Sequence, residues 1–94
     1  MTISERIAKN AKFLCHKQGK LVADMEKAIG VSTGYFSRVK GKKSIPIETG
    51  YKVADFLGID IGTLAFAQLA KQEKVDRLEA ELIRLKRELE HDAS

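Results

Sequence analysis

The sequence predicts an all-α protein: a five-helix domain over residues 1–68, containing a helix–turn–helix, followed by a C-terminal coiled-coil helix over residues 69–94. Three observations predict it. Apolar residues recur at steps of three and four nearly throughout, glycines end the pattern at short-helix intervals, and no alternating run of five residues reads as a strand. The 94 residues leave room for one core and an appendage, not for two cores. Leu, Ile, Val and Phe number 26, well above the roughly 20% below which a chain stays disordered.

Ile3, Ile7, Ala11 and Leu14 form one stripe of a first helix, with Ala8 and Cys15 on its flank and Gly19 at its end. A second helix, from about Leu21 to Ile29, places Leu21, Met25, Ala28 and Ile29 on one face. It stops at Gly30, where a left-handed residue is expected because glycine has no Cβ to clash. Ser32 or Thr33 is expected to cap a third short helix with Phe36 and Val39 turned inward. Lys40, Gly41, Lys42, Lys43 and Ser44 read as a loop. Pro46 suits the first turn of a fourth helix, since its missing N–H has no partner there in any case. That helix runs through Val53, Ala54 and Leu57 to Gly58, and Asp60 caps a fifth beginning near Ile61. No Pro follows, and no Gly after Gly62, so the fifth helix is expected to continue straight into the tail.

Composition excludes several classes. The longest uncharged runs, residues 61–70 and the equally long 28–37, are each about half a membrane span. Charges at Glu5, Arg6, Lys9 and Lys12 interrupt any signal-peptide core, so a cytoplasmic protein is expected. Cys15 is the single cysteine, and with His16 beside it and His91 far away no metal cluster can be written. There are no paired carboxylates, no glycine-rich phosphate loop and no Ser-His-Asp set, so neither catalysis nor a cofactor is expected.

Charge is unevenly placed. Residues 1–70 carry eleven Lys/Arg against six Asp/Glu, whereas residues 71–94 carry six against seven. A basic globule joined to a balanced rod points to a polyanion for the first and a protein partner for the second.

The helix–turn–helix at 21–40 is the strongest functional signal. Met25, Ile29, Val31, Phe36 and Val39 supply its shared core, which leaves Ser32, Thr33, Gly34, Ser37 and Arg38 on the outer side of the third helix. Small and hydroxylated residues there would let a helix enter a major groove, and Arg38 could reach a guanine edge or a phosphate. Lys20, near the start of the second helix, could also touch phosphate.

The run from Met25 to Ser37 (MEKAIGVSTGYFS), then Lys40-Gly41-Lys42-Lys43, Ile45-Pro46, residues 52–59 (KVADFLGI) and Leu64 resembles the lambda-repressor/Cro-like helix–turn–helix family of transcriptional regulators, of the xenobiotic-response-element type. The resemblance covers about residues 3–66. It implies a five-helix, repressor-like domain that binds operator DNA as a dimer. Matched residue by residue, it assigns base reading to Thr33, Gly34, Ser37 and Arg38, and phosphate contacts to Ser32, Lys40, Lys42 and Lys43. The chain departs from the pattern at Val22, where the family has a phosphate-binding Gln. It departs again at Glu26, where the family has Ala and where the acid is expected to point outward or tilt the helix pair.

In the tail, Val75, Leu78, Leu82, Leu85 and Leu89 step by three and four, a heptad seam with Val75, Leu82 and Leu89 at a and Leu78 and Leu85 at d. In a parallel pair Lys74 would meet Glu79 of a second copy and Glu81 would meet Lys86, both attractive. A homodimer is expected, with a tetramer left open because no polar residue occupies an a position; a helix folded back on its own domain is the competing arrangement. Together these readings predict a bacterial or phage-type DNA-binding regulator, a repressor in preference to an activator, acting on a palindromic operator in double-stranded DNA. The other reading is an antirepressor or adaptor whose coiled coil pairs with another protein and whose globule binds no DNA.

Overall fold

The computed structural model describes residues 1–39 and 44–92. Among them there are five α-helices and no strand: α1 (Ile3–Lys17), α2 (Val22–Ile29), α3 (Ile47–Leu57), α4 (Ile61–Phe66) and α5 (Leu69–Asp92), with a three-residue 3-10 turn at Phe36–Arg38. Four α-helices and that turn make the globule, where the sequence predicts five helices.

Local chemistry accounts for most of the boundaries. Thr2 and Glu5 form a reciprocal capping box at the start of α1, with the Glu5 N–H donating to Thr2 Oγ1 at 3.1 Å and the Thr2 N–H to Glu5 Oε1 at 3.2 Å. Gly30 and Gly58 end α2 and α3 at φ 82° and 71°, the left-handed closure predicted at Gly30. Asp60 caps α4 by accepting from the Thr63 N–H at 2.9 Å and the Thr63 hydroxyl at 2.7 Å, and those bonds hold its carboxyl below the usual range. Pro46 stands one position before α3 rather than inside its first turn.

The core joins Ile7, Ala11 and Cys15 of α1 to Met25 and Ile29 of α2, Val53 and Leu57 of α3, and Leu64 of α4. Phe36 and Val39 close it from the turn side, as their inward placement predicts. Cys15 and Met25 touch sulfur to sulfur at 3.7 Å, and burial pushes the Cys15 thiol up. Three helices meet at Gly50, where a Cβ would lie 3.2 Å from Ile61 Cδ1 and 3.8 Å from Ile7 Cδ1. Three residues expected on inward faces lie outside instead. Ile3 and Leu21 are exposed because each sits at a helix start beyond the reach of the core, and Ala28 faces solvent beside α3.

The expected continuous helix from 61 into the tail does not form. α4 ends at Phe66, Ala67 is extended (φ −72°, ψ 151°), and α5 restarts at Leu69. The cause is Asn10, which is buried on α1. Its amide donates to the Leu64 carbonyl at 2.8 Å and the Ala67 carbonyl at 2.7 Å, and its Oδ1 accepts from the Leu69 N–H at 3.4 Å. These are the orphan groups that a helix end and a helix start each leave behind, so one side chain makes the break favourable. A second anchor fixes the rod: Glu73 on α5 pairs with Lys17 of α1 at 2.9 Å and with Arg77 at 3.0 Å, and both cations hold its carboxyl low.

Beyond that anchor α5 extends alone, giving the molecule dimensions of 60 × 25 × 21 Å. Replacing Asn10 with Ala strands the buried Leu64 carbonyl and the partly buried Ala67 carbonyl, so urea unfolding followed by circular dichroism should show a loss of about 2–4 kcal/mol. An equal stability in the Asn10→Ala chain would mean that the junction is held by something else.

Candidate nucleic-acid interface and seam

The surface expected to read DNA is built on two left-handed glycines rather than on a third α-helix. After Gly30 the chain reverses, with the Val31 N–H closing on the Glu26 carbonyl at 3.0 Å. Gly34 then takes φ 85°, a conformation that a right-handed helix cannot contain. Only Phe36–Arg38 is helical, and as 3-10. The Arg38 N–H divides between the Gly34 and Tyr35 carbonyls at 3.2 Å each, which leaves one irregular turn in place of the predicted helix.

Two charged side chains hold this turn. Glu26, expected to point outward or to tilt the helix pair, is 3% exposed and points inward. Its Oε1 accepts from the Gly34 N–H and its Oε2 from the Phe36 N–H, both at 3.1 Å. The carboxylate thus has a charge-assisted backbone donor on each oxygen, without a cation paired to it among the described residues. It also withdraws those N–H groups from helical pairing, which is why an acid here favours a turn. On the outer side Arg38 folds back over the same loop. Its Nη2 donates to the Thr33 carbonyl at 2.8 Å and to Ser32 Oγ at 3.1 Å, and its Nε donates to the Gly34 carbonyl at 3.2 Å. The guanidinium, expected to reach a base or a phosphate, is bonded here to its own turn.

Of the residues matched to base reading, Thr33, Ser37 and Arg38 are exposed and adjacent, while Gly34 is half-buried and works as backbone. Ser32, matched to phosphate, is exposed and engaged by Arg38. Lys40, Lys42 and Lys43 lie outside the described residues. Lys20, expected to touch phosphate, donates its Nζ to the Phe56 carbonyl at 3.4 Å and sits 4.7 Å from the Phe56 ring centre. Gln18 donates to the neighbouring Leu57 carbonyl at 2.9 Å, so both residues cap the C-terminal end of α3, where the helix dipole favours a cation.

The seam residues Val75, Leu78, Leu82, Leu85 and Leu89 all lie on α5 and are 44–70% exposed, as is Ile83 at 54%. The fold-back arrangement is absent, because α5 leaves the globule after its first turns.

Sequence reasoning singled out Glu26 without its role in the turn and missed Asn10, yet each carried a signal. Glu26 stands four residues after Val22 and three before Ile29, and Asn10 three after Ile7 and four before Leu14. Both are polar residues inside an apolar stripe. No protein family, no characterised protein and no solved structure is found to match the chain.

The two conformations of residue 34 predict opposite signs for one substitution. A helical Gly34→Ala would gain up to about 1 kcal/mol. At φ 85° the same change should cost about 1–2 kcal/mol, and a stabilised variant in thermal or urea unfolding would refute the left-handed turn.

Proposed function

We propose that this chain is a sequence-specific DNA-binding regulator, a repressor by occupancy, that works as a dimer joined through α5. The observation that carries the reading is the exposed surface of Ser32, Thr33, Ser37 and Arg38, fixed from beneath by buried Glu26 and lying on the basic half of the chain. Hydroxyls and a guanidinium on an exposed turn are the donors that phosphates and base edges take. The contacting element in this proposal is the 32–38 turn, in place of a recognition helix lying along the groove. For its outer face to meet a base, the Arg38 guanidinium must exchange its bonds to Thr33 and Gly34 for bonds to DNA. The exposed seam supports the dimer, since six large apolar side chains on one solvated helix are expected to be covered by another chain. Two turns brought about 34 Å apart would match one helical repeat of DNA and a palindromic operator.

A second reading is favoured by one specific observation: the segment is a turn whose cation is bonded to its own backbone. On that reading the globule is a protein-docking module, and α5 pairs with a different protein.

Selection from random duplex DNA, followed by anisotropy titration of the winning site at several salt concentrations, separates the two. A dyad-symmetric site with a steep salt dependence is the expected result. Weak binding that is indifferent to sequence at every salt concentration would favour the docking module. Leu82→Asp, at an exposed position, should leave the globule's thermal transition unchanged, give a monomer in sedimentation equilibrium and weaken operator binding by about 100-fold. An unchanged affinity would remove the seam from the mechanism.

A further inference from the structure

A cleft of about 410 Å³ opens where the rod meets the globule, between α1 and the first turns of α5. Its charged lining is Arg6 and Lys9 from α1 and Lys71 and Lys74 from α5, with no acid among the lining residues. Among the described residues none of these four cations enters an ion pair or a side-chain hydrogen bond. The nearby acids are already engaged: Glu73 with Lys17 and Arg77, Glu5 with Thr2, and Asp76 with Gln72. Asn10 contributes to the wall, and its three bonds to α4, Ala67 and α5 hold the two sides of the cleft in fixed relation.

Four like charges facing one concavity repel each other, and a cleft of one sign concentrates counter-ions. Their mutual repulsion is relieved by a ligand carrying two or more negative charges. The volume is that of a small-molecule site. Arg6 offers a planar fork and the lysines offer point charges, the combination that suits phosphate oxygens. Walls on two sides favour a compact molecule over the open, linear track that a nucleic-acid backbone requires.

We propose that this junction is a binding site for a small phosphate-bearing anion. The site is independent of the turn at 32–38 and does not rest on the DNA-binding reading.

Isothermal titration of the full chain with inorganic pyrophosphate, at about 0.1 M ionic strength to screen diffuse attraction, tests it without DNA present. Saturable binding of one pyrophosphate per chain is expected, weakened at least tenfold in Arg6→Gln/Lys71→Gln and likewise in Lys9→Gln/Lys74→Gln. Lys27→Gln/Arg87→Gln removes the same charge away from the cleft and should change affinity less than twofold. Equal weakening by the control pair, or heat that never saturates, would overturn the site. So would an undiminished pyrophosphate affinity in both cleft variants accompanied by weakened duplex binding, which would make the cleft a DNA-backbone contact. Failure of the operator selection alone would leave a saturable, cleft-dependent pyrophosphate titration standing.

Discussion

The amide of Asn10 decides how the two halves of this molecule are joined. Helix propensity over residues 61–74 favours one unbroken helix, and a propensity difference of a few tenths of a kcal/mol per residue would keep it so. Against that stands one buried side chain that bonds the Leu64 and Ala67 carbonyls and receives the Leu69 N–H. Without a break those groups would pair along the helix, and Asn10 itself would be left buried with nothing to bond, a penalty of about 1–3 kcal/mol. The break follows, and from it the direction in which α5 leaves, the exposure of its seam and the cleft between α5 and α1.

Glu26 on α2 acts by the same physics. Buried carboxylates are costly unless their oxygens are satisfied, and the donors within reach belong to Gly34 and Phe36. Satisfying the acid fixes the backbone as a turn, and Gly34 permits it because its φ of 85° costs glycine nothing. Arg38 then bonds the carbonyls on the outer side of the same loop. The segment from 32 to 38 is thus held by an acid for its N–H groups and a base for its C=O groups. This device gives an exposed, hydroxyl-bearing surface held by hydrogen bonds on both sides, without a recognition helix.

Much of this molecule was legible one residue at a time. Gly30 and Gly58 after apolar stripes and Asp60 before Ile61 each name a helix boundary through chemistry confined to four or five residues. The Thr2–Glu5 capping box is a signal of the same local kind that sequence reasoning missed. The seam from Val75 to Leu89 is equally local, because heptad spacing alone puts those side chains on one face whatever covers them. Less of the candidate site was legible. Ser32, Thr33, Ser37 and Arg38 are exposed together as expected, but their backbone is not the expected helix.

By itself, then, the sequence determined the all-helical character, the caps, the left-handed closure at Gly30, the apolar core face and the seam of the rod. All of these follow from side-chain size, chirality and spacing within a turn or two. Only the tertiary structure decided that 61–92 is two helices and that 32–38 is a turn. The bonds responsible join Asn10 to groups 54 to 59 residues away, and Glu26 to groups 8 and 10 residues away across a chain reversal. A buried polar group takes whichever partners folding brings within 3 Å or so, and that proximity exists only once the helices have packed.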